Sequence, residues 1–138
     1  MSLFGSLFGN SNESDNKDTN QNGFAWNALT DLKQLDSIVE ESEEKPVVIF
    51  KHSTRCSISR MALKNFEREY NLEETEATPY YLDLLQHRDI SNEIAQKFQV
   101  IHQSPQLLLI KNGKSVYDAS HSEIDAETLK GKVETLGN

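Results

Sequence analysis

Cysteine is almost missing from this chain: its 138 residues include one, Cys56. A single thiol cannot close a disulfide within its own molecule, which argues against the disulfide-stapled folds of small exported domains. It also makes a cysteine-based structural zinc site an improbable use. The histidines His52, His87, His102 and His121 do not stand at metal-ligand spacing, so no metal is expected. Long apolar runs are absent too, and nothing approaches the roughly 20 residues that a membrane helix needs. The opening "MSLFGSLFGN" lacks the basic and extended apolar regions of a secretory signal. Positive charge is in deficit, with 14 Lys and Arg against 22 Asp and Glu and a net charge of -8. Such a surface repels nucleic acid and anionic membranes, so neither is expected as a partner. Glycine-rich phosphate loops are missing as well. The expectation is a cytoplasmic, monomeric globular protein.

What is present divides near Gly23. Residues 10 to 22, "NSNESDNKDTNQN", carry no aliphatic or aromatic side chain, so residues 1–22 are predicted to be a disordered tail. Ahead of that stretch "SLFG" occurs twice, read as the apolar end of the tail or, less favoured, as a docking peptide presenting Leu3, Phe4, Leu7 and Phe8. Residues 23–138 form the predicted domain. "FAWNAL" suits a short edge strand, and Thr30 or Asp31 a cap for "LKQLDSIVEESEE", with Leu32, Leu35, Ile38 and Val39 at helical spacing. Pro46 stops that helix, and "VVIFKHS" reads as a buried strand. After Cys56 come Ile58, Met61, Ala62, Phe66 and Tyr70, taken as the inner face of a second helix. "TPYYLDLL" is a strand, and "DISNEIAQKFQV" a third helix with Ile90, Ile94, Ala95 and Phe98 inward. "PQLLLIKNGK" and "SVYDASH" are strands joined at Asn112-Gly113, a strong two-residue hairpin signal. Asp125 caps a closing helix over "DAETLKGKVETLG". The order β-α-β-α-β-α-β-β-α predicts an α/β fold, a thioredoxin-like three-layer α/β/α arrangement around a central mixed sheet.

Cys56 falls where a buried strand ends and a helix begins, the edge at which ligands bind in open α/β folds. Unpaired N–H groups and the positive end of the helix dipole favour a thiolate there. Arg55 adds positive charge beside it, His52 is a candidate to help, and the Ser59 hydroxyl, one turn on, is a candidate hydrogen bond to the sulfur. Thiolate is the nucleophile of disulfide exchange. A lone cysteine is often inert packing, but Ser53, Thr54, Arg55, Ser57 and Ser59 make no apolar nest. Cys56 and Ser59 have C-x-x-S spacing, so no second thiol resolves a mixed disulfide internally, and the resolving thiol must come from outside. The acidic run Glu40, Glu41, Glu43 and Glu44 is read as a solvated helix end.

"FKHSTRCSIS", "HQSPQLLLIKNGK" and "ASHSEI", in that order, resemble the monothiol bacilliredoxins, thioredoxin-fold proteins of the bacillithiol system. The resemblance runs over about residues 24 to 138. The family's usual Thr-Cys-Pro-Ile-Ser is here Arg55-Cys56-Ser57-Ile58-Ser59, so Cys56, Ile58 and Ser59 carry over while Arg55 and Ser57 depart. It implies a monothiol disulfide oxidoreductase with no bound cofactor. Its catalytic Cys56 takes bacillithiol, or another low-molecular-weight thiol as co-substrate, from S-thiolated proteins, and a second small thiol or a reductase then regenerates it. The thioredoxin layout further implies a cis bond before Pro105, with the Ser104 backbone meeting an extended substrate segment; the residues alone also fit a trans proline opening a strand. His102 and His121 lie in matching stretches and are read as structural or near the site. The rival readings are a glutathione-using monothiol glutaredoxin, with an iron–sulfur cluster bridged through Cys56, and a non-enzymatic thioredoxin-like binding module.

Overall fold

Four β-branched and aromatic residues open the run Val47–His52, and the strand they form is buried along its whole length. Around it the chain is arranged as β1 (Asn27–Ala28), α1 (Lys33–Glu41), β2 (Val47–His52), α2 (Ser57–Glu69), β3 (Thr78–Asp83), α3 (Arg88–Lys97), β4 (Gln106–Lys111), β5 (Lys114–Ser120) and α4 (Ala126–Leu136). The structure, a computed structural model, describes residues 25–136. The predicted tail, its "SLFG" repeat and the first residues assigned to the domain lie outside the described residues. The strand order is β1-β3-β2-β4-β5, one mixed sheet. β1, β3 and β2 run parallel, and β4 is antiparallel to both β2 and β5.

Alternation along β2 and β4 separates two cores. Val47, Ile49, Leu108 and Ile110 pack with Leu35 and Ile38 of α1 and Ile90 and Ile94 of α3. Val48, Phe50, Leu107 and Leu109 pack on the other face with Phe66 of α2 and Leu129 and Val133 of α4. Two helices on each side of the sheet give the predicted three layers. Burying each of these large apolar side chains contributes roughly 1.5–3 kcal/mol. On the α2 side the aromatic set is continuous: Trp26 stacks on Phe66 at 5.9 Å, and Phe66 meets Phe50 at 5.5 Å between ring centres.

The ends of the elements follow their side chains. The Asp31 carboxylate accepts the Lys33 N–H at 2.9 Å, and the Gln34 side chain reaches back to the Asp31 N–H at 3.0 Å, a reciprocal cap. Asp125 caps α4 through the Thr128 N–H at 3.0 Å. Asn112 and Gly113 both have positive φ, 55° and 73°, as a tight hairpin of this type requires. β3 stops at Asp83, short of the predicted Leu85, because the Asp83 carboxylate turns to accept the Leu85 N–H at 3.1 Å.

One predicted face needs correcting. Ile58 and Met61 do not face inward: they are 62% and 65% exposed. Ser59 is fully buried and fixes the rotation of α2, so Ala62, Leu63, Phe66 and Tyr70 turn to the sheet. At about 100° per residue, 58 and 61 are then swung out toward solvent.

Candidate active site

β2 ends at His52 with the chain moving toward solvent, and a short turn brings it into α2 at Cys56. The Cys56 N–H donates to the Ser53 carbonyl at 3.2 Å, and the Cys56 carbonyl accepts the Arg60 N–H at 3.0 Å, the first helical bond. Cys56 itself is extended, with φ -104° and ψ 122°, which is the geometry of a residue that precedes a helix. Its thiol is free and half-buried. Cys56 therefore stands at the N-terminal, positive end of α2.

Ser59 lies one turn further on, but its hydroxyl is engaged elsewhere. The Ser53 N–H donates to Ser59 Oγ at 3.0 Å, and Oγ lies 2.8 Å from His52 Nδ1. Burial holds His52 below the usual imidazole range; nearby Asp83 opposes this and Arg60 reinforces it. His52 is thus a neutral ring at neutral pH, with its Nδ1 and the Ser59 hydroxyl at hydrogen-bond distance. Two expectations change in consequence. Ser59 bonds His52 and Ser53 in place of the sulfur, and His52 supplies no positive charge for a thiolate. Together they lock the Ser53–Cys56 turn onto the end of β2 from below. Tyr81 and Phe50 box the imidazole, with ring centres 5.7 and 6.5 Å away.

Arg55 is exposed in the turn immediately before Cys56. A second arginine, Arg60, was not singled out from the sequence. Its guanidinium folds back to the Thr54 carbonyl at 3.3 Å, bringing a further cation to this edge. Its position four residues after Cys56, one turn into the same helix, was the available signal.

The opposite wall comes from the start of β4. Lys51 pairs with Gln106 across the sheet, so Ser104 and Pro105 stand beside the turn that leads to Cys56. The Ser104–Pro105 bond is cis, as the resemblance implied. The Pro105 carbonyl accepts the His121 N–H at 3.2 Å, whereas no described residue hydrogen-bonds the Ser104 backbone. Ile58, Met61 and Ile101, all more than half exposed, give this end of the molecule an apolar surface. Among the described residues no group of three His, Cys, Asp or Glu stands close enough to hold a metal ion, and no helix is long and apolar enough to cross a membrane.

Comparison with known proteins agrees with this geometry. Residues 27–129 match the family described as monothiol bacilliredoxin BrxC. A solved structure provisionally described as an oxidoreductase with a thioredoxin fold is 34% identical, with a TM-score of 0.65 over 78% of this chain and 91% of its own. The thioredoxin of Malassezia sympodialis superposes with a TM-score of 0.62 at 18% identity, over 80% of this chain and 90% of its own. Mitochondrial thioredoxin 3 of Saccharomyces cerevisiae does so with 0.61 at 15% identity, over 80% and 94%. The last two speak to the fold alone.

Proposed function

This chain belongs to the monothiol bacilliredoxin family, and from that premise we propose that it removes bacillithiol from protein mixed disulfides through Cys56. The coarser statement, a thiol oxidoreductase of thioredoxin fold, follows from the family and from the 34%-identical oxidoreductase structure. The observation that carries the finer reading is the neighbourhood of the sulfur. The sole thiol is half-exposed at a helix start, and the position one turn on holds a buried serine whose hydroxyl is already bonded.

In the proposed step the Cys56 thiolate attacks the bacillithiol sulfur of the mixed disulfide. That S–S bond breaks, the protein thiolate leaves and takes up a proton, and a Cys56–bacillithiol disulfide forms. Arg55, exposed in the turn just before Cys56, is the residue assigned to stabilise the attacking thiolate. The backbone of Ser104, which no described residue hydrogen-bonds, receives an extended segment of the S-thiolated protein. Ser59 offers no thiol, so the adduct waits for a second low-molecular-weight thiol or a reductase from outside. Bacillithiol is the co-substrate, no cofactor is bound, and the chemistry suits the reducing cytoplasm.

Intact mass spectrometry tests this directly. Wild-type protein mixed with a bacillithiolated protein should gain one bacillithiol per chain as one substrate thiol is released. Cys56→Ser should gain none. Uptake of neither bacillithiol nor glutathione from parallel substrates sinks the redox reading. Uptake of glutathione without preference keeps the chemistry and moves the co-substrate to glutathione.

A further inference from the structure

Lys51 is fully buried in the middle of the sheet, one residue before His52 and on the opposite face. Its amine donates to Nδ1 of His102 at 2.9 Å, and His102 is itself exposed, on the loop between α3 and β4. Across the sheet from Lys51, Gln106 is also buried, and its amide donates to the Ile101 carbonyl at 3.0 Å. The glutamine's own carbonyl oxygen is buried without a hydrogen-bond partner among the described residues. Two neighbouring positions in the interior of an apolar sheet thus hold polar side chains that reach up to successive residues of one loop. Neither is favourable as core packing, since a buried cation and an unpaired acceptor both cost stability.

The other ties of that loop are the Val100 N–H, which donates to the Ala95 carbonyl at 3.1 Å, and Ser91 Oγ, 3.4 Å from the same His102 Nδ1. Ile101, His102 and Gln103 are exposed, and only Val100 packs against the core. The loop ends at Ser104 and Pro105, the wall facing Cys56. We propose that Lys51 and Gln106 form a two-point anchor that fixes the Val100–Ser104 loop for docking of the protein disulfide, with Lys51 a positioning residue for exchange. The inference rests on the proposed monothiol exchange for its functional meaning. Burial lowers the Lys51 amine to about 8, and the Lys51 charge helps to keep His102 below the usual imidazole range, so near neutral pH the pair is a charged donor on a neutral acceptor. Such a bond is stronger than one between neutral groups.

The test compares two substrates, a small aromatic disulfide that needs only the sulfur and an S-thiolated protein that also needs the loop. Lys51→Met removes the charge and keeps an apolar chain in place; His102→Leu removes the acceptor at an exposed position and guards against a folding failure of the first variant. Either should raise KM for the S-thiolated protein about tenfold, the loss of one charge-assisted hydrogen bond, with kcat within about twofold on the same ground. Reaction with the small disulfide should be unchanged. His102→Asn, which returns an acceptor near the position of Nδ1, should restore KM. Amide hydrogen exchange should quicken at Ile101–Ser104 in Lys51→Met and not in the first turn of α2. Equal losses on both substrates, no change on either, or failure of His102→Asn to restore KM would overturn the anchor. A wild-type protein inactive on both substrates would remove the exchange reading instead, and the loop amides would still decide the anchor.

Discussion

Lys51 and His52 are consecutive, both buried, and do opposite things. His52 faces the α2 and α4 layer as a neutral ring, bonded to Ser59 and so to the turn that carries Cys56. Lys51 faces the α1 and α3 layer as a cation, bonded to His102 and so to the loop that carries Ser104. The strand alternates, so one strand end feeds both walls of the site from opposite faces. On one face the polar residue meets a helix already packed by Phe66 and its neighbours. On the other it meets an exposed loop with almost no apolar hold. The rigid wall is served by a short neutral bond, and the weakly packed wall by a charged one.

The largest effect comes from altering the rigid wall. Ser59→Cys places a second thiol one turn from Cys56 and beside the neutral imidazole of His52. Two sulfurs at this spacing can meet with little backbone movement. The stable bacillithiol adduct of the wild type should then be lost, replaced by an intramolecular disulfide and free bacillithiol, read by intact mass before and after alkylation. An adduct of unchanged lifetime in this variant would show that a thiol at position 59 does not resolve it. The loop side should be indifferent to this change, with Lys51 and His102 still paired.

Much of this layout is legible in the residues. The apolar run before Cys56 and the amphipathic pattern after it locate the strand-to-helix junction, Asn112-Gly113 fixes the hairpin, and Asp125 marks the start of α4. What the sequence hides is where polar groups go once buried. "VVIFKHS" reads as a buried strand, but nothing local says that Gln106 pairs across from Lys51 or that His102 arrives to meet its amine. The same holds for Ser59, whose spacing from Cys56 suggests a bond to sulfur until β2 brings His52 to its hydroxyl. Ile58 and Met61 mislead for another reason: apolar residues at helical spacing are compatible with two rotations of α2, and only the buried Ser59 chooses between them.

Of intermediate size is the energetic difference between the two buried bases. Lowering the Lys51 amine from 10.5 to about 8 corresponds to roughly 3 kcal/mol of stability lost while the amine is charged. Lys51→Met should therefore be more stable than wild type at pH 7, by up to about 3 kcal/mol, even as it weakens the loop. The unfolded chain holds the lysine proton up to about 10.5 and the folded chain only up to about 8, so wild-type stability recovers as pH rises between those values. Chemical denaturation of both proteins from pH 7 to 10.5 should show the gap closing. A constant gap would mean that the Lys51 charge carries no burial cost.

The smallest effect belongs to His52 and appears on the acid side. Its folded-state value is also lowered, chiefly by burial, so the unfolded chain binds the proton first as pH falls below about 6.5. Stability should then decline relative to a chain without an ionisable group at this position. His52→Phe supplies that reference, since a phenyl ring suits the pocket formed by Phe50 and Tyr81. The variant starts lower at pH 7, because removing the imidazole takes away the Ser59 partner, a loss of about 0.5–1.5 kcal/mol. Carboxylates titrate in both proteins and largely cancel. The difference between them should narrow from pH 7 to 5, in a window separate from that of Lys51. Both bases make stability rise with pH, His52 below neutrality and Lys51 above it, so the two faces of one strand can be titrated apart. A gap that stays constant from pH 7 to 5 would leave His52 a purely geometric support for the cysteine turn.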